Sequence, residues 1–420
     1  MRGVVKPVLF VVALALCFGV GYSWRNLRAG ELPPADALSA LISGPAATDP
    51  MAADEVFKLA YNRVETDYYK AVVPKQLKYA GIAGMMSSLG DPHTLFLPPV
   101  AAKEFESDTQ GNFVGVGARL ARDPLGAKVA VSFDDGPAYA KGMRAGDIIT
   151  AVNGKSVVGM NVDDIVTLIR GQEGTIVKLT LIKPNKEPHE TISIKRARIT
   201  TPTVDGQVLK DENVGLLTVT QFAETTTEQF DTALNKLEKN APNGMKGLVI
   251  DLRGNPGGLL EVAADMLSRF VDDKIVVKMK MRGGKEEYAK TLSGLKRDFP
   301  YPIVILMNED TASAAEIFSG VLHDYGMATL VGEHSYGKAL VQNIFKLRDG
   351  SSAKITIARY YLPSGEYINR KVDEDGQFLS GGLEPDVKST LDPDDSNIVL
   401  DDVKTDTQLQ AALKVIRDKQ

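Results

Sequence analysis

Three stretches hold residue types that together can break an amide bond. The first is Asn308-Glu-Asp-Thr-Ala-Ser-Ala-Ala-Glu316, where Ser313 follows the apolar run Ile303–Met307 and opens a helical pattern. A serine at a strand-to-helix turn has its hydroxyl near the positive end of the helix. Backbone N–H groups there are free to bind a developing oxyanion. The same residues also suit a plain helix cap, with Ser313 or Thr311 as the N-cap. The second stretch is Gly337-Lys-Ala-Leu-Val-Gln342. A serine nucleophile needs a base, and the four histidines offer none that convinces. His323 lies on the helix after Ser313, His334 precedes a glycine turn, and His93 and His189 are in other segments. Lys338 can serve if it is neutral. A lysine of ordinary pKa is neutral in roughly 1 molecule in 2,500 at pH 7. Burial disfavours the ammonium and raises that share. Val331, Ala339, Leu340 and Val341 supply an apolar setting, and the Gln342 amide, four residues on, can hold the amine in line. The other reading is a surface lysine in a β-turn.

The third stretch is Leu248-Val-Ile-Asp-Leu-Arg-Gly-Asn-Pro-Gly-Gly258, a buried strand that breaks into a glycine turn. Two glycines in a row allow positive φ and a close backbone approach, which suits N–H donation to a substrate carbonyl. An anion nest or a plain turn fits as well. No Gly-Lys-Ser/Thr follows, so it is not a nucleotide P-loop. A fourth region binds rather than cuts. Phe113-Val-Gly-Val-Gly-Ala-Arg-Leu120 occurs with Gly136-Pro-Ala138, Ala145-Gly-Asp-Ile-Ile149 and Val152-Asn-Gly154. A Gly-flanked loop leading into a strand exposes N–H groups, and a nearby helix makes the other wall of a groove. A peptide can add there as a strand, with its terminal carboxylate on the loop. A generic small β domain is the plainer reading.

The elements that must position these residues follow from periodicity. Residues 54–68 and 76–89 read as helices, with Val56, Phe57, Leu59 and Val64, then Leu77, Ile82, Met85 and Met86, at helical spacing. Gly90-Asp91-Pro92 stops the second. Residues 113–198 change to short β-branched strands, glycine turns and one amphipathic helix at 162–170, with Asn161 as N-cap and Gly171 as the stop. From 213 to 390 strand and helix alternate: strands at 214–219, 247–252, 274–280, 303–307, 329–331, 341–346 and 353–360, and helices at 226–239, 259–270 and 312–325. That alternation predicts an α/β core with a partly parallel sheet. Residues 406–418 read as a short terminal helix, and 369–379 as a polar surface loop.

Composition excludes several classes. The 420 residues are 44% apolar and 25% charged, a globular balance. Net charge is −5, and no Lys/Arg block appears, which argues against nucleic acid as a partner. The single cysteine excludes a disulfide framework, a Cys-ligated zinc and a Cys–Cys redox pair. Residues 1–30 stand apart: Arg2 and Lys6 precede an apolar run from Pro7 to Tyr22, and Arg25 and Arg28 follow. That pattern predicts a signal peptide or a short uncleaved anchor, with 31–53 as a linker. Leu16, before Cys17, argues against lipid attachment.

Taken in order, these motifs resemble the carboxyl-terminal processing (tail-specific) proteases, which are serine–lysine endopeptidases carrying a PDZ domain. The resemblance runs from Asp91 to Val387. It includes Asp91-Pro-His-Thr-Leu-Phe-Leu97, Ile357-Ala-Arg-Tyr-Tyr-Leu-Pro-Ser-Gly365 and Gly382-Leu-Glu-Pro-Asp386 beside the stretches above. Ser313 and Lys338 are 25 residues apart and Lys338 and Gln342 four, as in that family. Ala315 and Ala339 depart from its usual serine and glycine. The implied fold is a multi-domain α/β chain: a crotonase/ClpP-like protease core at 199–390 with an inserted β-rich PDZ domain at 113–198. An N-terminal helical segment at 54–112 and a C-terminal linker and helix at 391–420 flank them.

The resemblance also implies roles. Ser313 would be the nucleophile, Lys338 the general base and Gln342 its orienting partner. The N–H groups of Gly258 and Ala314 would form the oxyanion hole, with Gly257 the rival for the first place. Gly115, Val116 and Gly117 would bind a peptide carboxylate, and Ile165, Leu168 and Ile169 would line the helix side of the groove. Arg170 would help sense bound peptide, or simply place a cation at a helix C-terminus. The implied partners are polypeptides with exposed apolar C-termini, and the N-terminal pattern adds a membrane; a regulatory adaptor and a second copy of the chain stay open. No metal or organic cofactor is required. The expected location is periplasmic or otherwise extracytoplasmic. A non-catalytic peptide-binding or scaffold protein on the same fold is the alternative.

Overall fold

The computed structural model describes residues 50–184, 186–241, 244–392 and 398–420. The expected signal peptide or anchor, and nearly all of the expected linker, lie outside the described residues. Among the described residues no helix is long and apolar enough to cross a membrane. The chain divides into two units between Phe96 and Leu97.

The first unit contains the helices Pro50–Asp67 and Pro74–Ser87. Pro74 sits in the first turn of its helix, where its missing N–H costs nothing and its fixed φ suits the element. Gly81 lies against the Phe57 ring, where a Cβ would come within 3.3 Å.

The second unit begins with the helix Pro99–Gln110, which falls inside the expected 54–112 segment but is tied to residues far along the chain. Glu224 N–H donates to Thr109 C=O (3.0 Å) and Gln221 Nε2 to Asp108 C=O (3.3 Å). An antiparallel sheet follows in the order Ala118–Asp123, Gly126–Ser132, Ile148–Val152, Ile176–Lys183, Lys186–Lys195. Val177, Leu179 and Leu181 are buried and alternate with less buried residues, so one face of the sheet carries the core. The helix Val162–Ile169 covers that face. Its N-cap is Asn161, whose Oδ1 accepts from Asp163 N–H at 3.2 Å. The strands Asn112–Gly115 and Ala197–Thr200 pair antiparallel where the chain enters and leaves this domain.

The larger sheet runs Val204–Leu209, Val214–Val219, Gly247–Asp251, Ile303–Met307, Ala328–Gly332, Val387–Lys388. Only the first pair is antiparallel. Gly247–Asp251 and Ile303–Met307 are buried at every residue, as a parallel sheet covered on both faces requires. Alternate residues serve opposite cores. Leu248, Ile250, Ile303, Ile305 and Met307 face the helices Thr226–Asn240, Leu260–Leu267 and Ala314–Asp324. Val249, Val304 and Leu306 face the helix Thr407–Asp418. The expected boundary at 390 therefore cuts through one packing unit: the terminal helix is the cover of the sheet's second face. Gly247 shows how close that cover lies, since a Cβ there would sit 2.6 Å from Ile416.

A second sheet of the core joins Ile275–Met281, Glu286–Lys290, Leu340–Lys346 and Ser352–Tyr361, all pairs antiparallel. Residues 369–379, expected to be a plain loop, include the strand Lys371–Val372, which pairs with Phe378–Ser380. Asp373 Oδ1 makes that tight ribbon by accepting the N–H groups of Asp375 and Gln377 (3.0 and 2.7 Å). The ribbon folds back on the chain, stacking Phe378 on the His334 ring at 4.4 Å.

Candidate active site

Neighbouring parallel strands end side by side, and the loops that leave their carboxyl ends meet. The loop after Gly247–Asp251 is the glycine turn, that after Ile303–Met307 carries Ser313, and that after Ala328–Gly332 carries Lys338. Polar side chains stitch the first two together. Asn308 Oδ1 accepts from Gly254 N–H (2.9 Å), and Thr311 Oγ1 donates to Leu252 C=O (2.9 Å). Asn255 is fully buried; its Nδ2 donates to Val219 C=O (2.7 Å) and its C=O accepts from Ala312 N–H (2.9 Å).

Ser313 precedes the helix Ala314–Asp324 with φ 56° and ψ −117°. A serine at positive φ is strained, by about 1–3 kcal/mol, and such a conformation persists only where surrounding bonds over-determine it. Gly257 makes room for it. A Cβ on Gly257 would stand 2.6 Å from Ala312 O and 2.8 Å from both Ser313 Cβ and Ala314 N. The structure thus brings Ser313, Ala314 and the paired glycines together. It also separates the two glycines by role. Gly257 N–H already donates to Asn255 Oδ1 (2.8 Å), which commits it. Gly258, at φ 146°, is held against Phe222, so it has the geometry only a glycine tolerates here.

Glu316 joins the nucleophile loop to the lysine loop. Its side chain is fully buried, and all four of its partners are donors. Oε2 accepts from Ser313 N–H and Lys338 N–H, each at 2.8 Å, so those two nitrogens lie within twice that distance of each other. Oε1 accepts from Gly337 N–H and Ser335 Oγ–H, each at 2.6 Å. Ser335 Oγ in turn accepts from Leu383 N–H (2.7 Å). Burial pushes the Glu316 carboxyl up from its ordinary value, while its four donors pull the other way. With nothing but donors facing it, the ionised form is the one the geometry accommodates. Tyr360, also buried, closes the arrangement from below: its O–H donates to Lys338 C=O at 2.7 Å and lies 3.4 Å from Ser313 C=O. Burial, with the Glu316 charge adding, pushes the phenol well above its ordinary value, so it stays a donor.

Lys338 is half-buried, with its backbone gripped on both sides by these bonds. Gln342 follows on the strand Leu340–Lys346, past a bulge between Val341 and Gln342, and its Nε2 donates to Thr356 Oγ1 at 3.4 Å. The two histidines near Ser313 in sequence are engaged elsewhere. His323 Nε2 is 3.1 Å from Asp386, and His334 Nδ1 is 3.2 Å from Ser335 C=O.

In the smaller domain the expected loop is shorter than the motif suggests, because Gly115 ends a strand and faces Ala197 across the ladder. Val116 C=O accepts from Ala138 N–H (2.8 Å). The Gly117 N–H, on the other side of that trans peptide, points the opposite way. Ile165 and Ile169, expected to line the groove, are core residues, 0% and 4% exposed. They pack under the sheet with Val129, Leu179 and Ile194. Leu168, Val162 and Val166 are half-buried and have surface to offer a ligand. Arg170 ends the helix with Nη1 3.9 Å from Glu104 Oε1 and its guanidinium 5.5 Å from the Phe113 ring. It therefore faces the helix Pro99–Gln110. There burial pushes the Asp108 carboxyl up, against the pull of Arg170.

Comparison with known proteins fits this arrangement. Residues 213–389 match the family model for peptidase family S41, and residues 130–183 match a PDZ domain. The chain is 37% identical over 333 residues to the carboxy-terminal processing protease CtpA of Bacillus subtilis strain 168, covering 79% of this chain and 68% of that protein. The chain belongs to peptidase family S41. The S41 peptidase is also 34% identical over 378 residues to a probable CtpA-like serine protease of Staphylococcus haemolyticus, covering 84% and 75% of the two chains. Among solved structures, the photosystem II D1 C-terminal processing protease aligns with 86% of the S41 peptidase at 29% identity. That alignment spans 90% of the solved chain, with a TM-score of 0.47. The S41 peptidase is a C-terminal processing serine protease with a PDZ domain.

Residue-type reasoning passed over Glu316, Asn255 and Tyr360. Glu316 had a visible signal, because an acid three residues after a serine cap is the capping-box spacing. Asn255 sits in a turn-forming run where asparagine is common. Tyr360 arrives from a strand 47 residues beyond Ser313 and has no local signal.

Proposed function

We propose that the S41 peptidase acts outside the cytoplasm and cuts polypeptides by an acyl-enzyme mechanism run by Ser313 and Lys338. The observation that carries this reading is the shared acceptor: Glu316 Oε2 binds the N–H groups of both residues at 2.8 Å. A nucleophile and a base from separate loops are thereby fixed to one atom. Ser313 Oγ attacks the scissile carbonyl carbon as its proton passes to the neutral Lys338 amine. The carbonyl oxygen, now anionic, takes the N–H groups of Gly258 and Ala314. Each such donor contributes about 10²–10³ in rate. The C–N bond breaks as Lys338 returns the proton to the leaving amine. Water, deprotonated by Lys338, then attacks the ester and restores Ser313.

The PDZ domain supports recognition of a free C-terminal tail. Ala118–Asp123 is the terminal strand of its sheet, so a tail can add along it and place its carboxylate at the outward Gly117 N–H. Affinity drawn from main-chain bonds gives loose sequence preference, with apolar side chains meeting Leu168 and its neighbours. The basic and apolar pattern of residues 1–30 supports export, by a cleaved signal or an anchor.

The test uses the chain from residue 31 onward, beside Ser313→Ala and Lys338→Ala. Each is mixed with an unstructured polypeptide ending in an apolar tail, and the products are read by mass. Cleavage by the parent alone is expected, and cleavage by Ser313→Ala at the parent rate would overturn the assignment. Residues 1–53 fused to an enzyme that folds only in an oxidising compartment test the location; an inactive reporter would count against export.

A further inference from the structure

Arg253 stands at the foot of the glycine turn, two residues beyond Asp251 and two before Asn255. Its side chain is 3% exposed, and carboxylates grip the guanidinium from two directions. Asp251 takes Nε at 3.0 Å and Nη2 at 2.6 Å. Asp406 takes Nη1 at 3.0 Å and Nη2 at 2.8 Å. Gln408 Oε1 accepts from Nη1 at 3.1 Å. A planar fork held edge-on by two carboxylates has a fixed orientation that a lysine cannot reproduce. Asp406 and Gln408 lie beyond residue 389, outside the stretch that matches the family model. Asp406 also caps the terminal helix, accepting from Leu409 N–H at 2.9 Å. One side chain therefore links the docking of that helix to the turn that carries Gly257 and Gly258. A fully buried charge of this kind stays only while its partners are in place.

We propose that Arg253, clamped from the carboxyl-terminal segment by Asp406 and Gln408, is a positioning residue that holds the turn at residues 253–258 so that Gly258 N–H meets the oxyanion. This rests on the serine–lysine reading above. The terminal segment is then part of the catalytic apparatus, although it touches neither substrate nor Ser313. Loosening the clamp disturbs the oxyanion donor and leaves the substrate-binding groove intact. Its signature is a fall in kcat at constant KM, with a matching loss of affinity for a peptide boronate, whose tetrahedral adduct needs the donor. Affinity for an uncleavable peptide of the same sequence stays constant.

The experiment compares Asp406→Asn and Gln408→Met with the parent and with Ser313→Ala. Asp406→Asn is expected to lower kcat and boronate affinity at least tenfold with KM unchanged. Gln408→Met removes one acceptor and leaves both carboxylates, so it serves if Asp406→Asn does not fold; a threefold fall in kcat at constant KM is expected. Parent kcat and parent boronate affinity in folded Gln408→Met or Asp406→Asn would overturn the proposal. A rise in KM equal to the fall in kcat/KM would overturn it too, as a general loss of binding. If Ser313→Ala still cleaves, the serine–lysine reading itself fails. If Ser313→Ala is dead while the clamp variants are normal, only the clamp fails.

Discussion

Replacing Glu316 by glutamine changes one atom and should disable the site. The carboxylate receives four donors: Ser313 N–H and Lys338 N–H on one oxygen, Gly337 N–H and Ser335 O–H on the other. Glutamine offers one oxygen and one NH2 group. With its oxygen toward Ser313 and Lys338, the NH2 confronts Gly337 N–H; Ser335 can rotate and accept, but the backbone cannot. With the amide flipped, the NH2 confronts both Ser313 N–H and Lys338 N–H. One or two buried backbone donors therefore lose their acceptor, at about 1–3 kcal/mol each. The neutral amide recovers part of the burial cost of the charge, which leaves a net destabilisation of about 1–4 kcal/mol. The donors also repel, which pushes the two loops apart, and a displacement of about 1 Å at reacting groups costs ~10²-fold in rate. The assay is chemical denaturation of the parent and Glu316→Gln, with kcat measured on a tail-bearing polypeptide and labelling of Ser313 by a fluorophosphonate. Stability within about 0.5 kcal/mol of the parent together with kcat within twofold would refute the reasoning.

Three further outcomes follow from the same contacts. Tyr360→Phe removes the bond to Lys338 C=O (2.7 Å) without changing the packed ring, so denaturation should show a loss of about 0.5–1.5 kcal/mol, with kcat reduced and KM unchanged. Gly258→Ala would bring a Cβ within bonding range of the Phe222 carbonyl, so the turn must move; kcat should fall by about 10²-fold or more even in folded protein, as steady-state kinetics would show. Asp401 faces Arg253, Asp251 and Asp406 and accepts from Thr218 Oγ1, and burial first, then the Asp251 charge, push its carboxyl up to about 6. Between the unfolded value of 3.8 and about 6 the native state holds more protons, so this group's stabilising effect is full at low pH and lost as pH rises through 6. Asp401→Asn should therefore melt above the parent at pH 7.5, with the gap closing toward pH 5 in calorimetric scans; a gap independent of pH would refute the assignment.

Much of the frame could be read from local pattern, because the strongest strands are buried on both faces. Ile303–Met307 is an unbroken apolar run whose observed bounds equal the expected ones, as do those of Val214–Val219. The terminal helix, expected at 406–418 and observed at Thr407–Asp418, is also visible in the sequence, but its partner is not. A helix's own periodicity shows that it has an apolar face, and says nothing about Val249, Val304 and Leu306 on a sheet more than 100 residues earlier. The PDZ helix shows the same ambiguity within a single element. Ile165, Leu168 and Ile169 share one apolar stripe, yet two of them are core and one is half-buried. A stripe wide enough to serve both the core and a groove gives the same spacing for either.

The site repeats this division between what types reveal and what holds them. Residue type alone leaves Ser313 open to a helix cap and Lys338 to a surface turn; the order and spacing of the motifs, shared with the family, single them out. Of the groups that hold them, Glu316 alone has a local signal, the capping-box spacing, since all act on backbone atoms that any residue would supply. Glu316 binds three N–H groups, Tyr360 a carbonyl, and Asn255 two carbonyl or amide partners. That choice of partner has a mechanical reason. Ser313 stands at φ 56° and forms a capping box with Glu316 at the start of its helix. Bonds to the main chain around it oppose the strain, Ser313 N–H to Glu316 Oε2 among them. A buried polar residue that bonds backbone, three residues away as Glu316 is or 47 as Tyr360 is, is thus what holds a strained nucleophile.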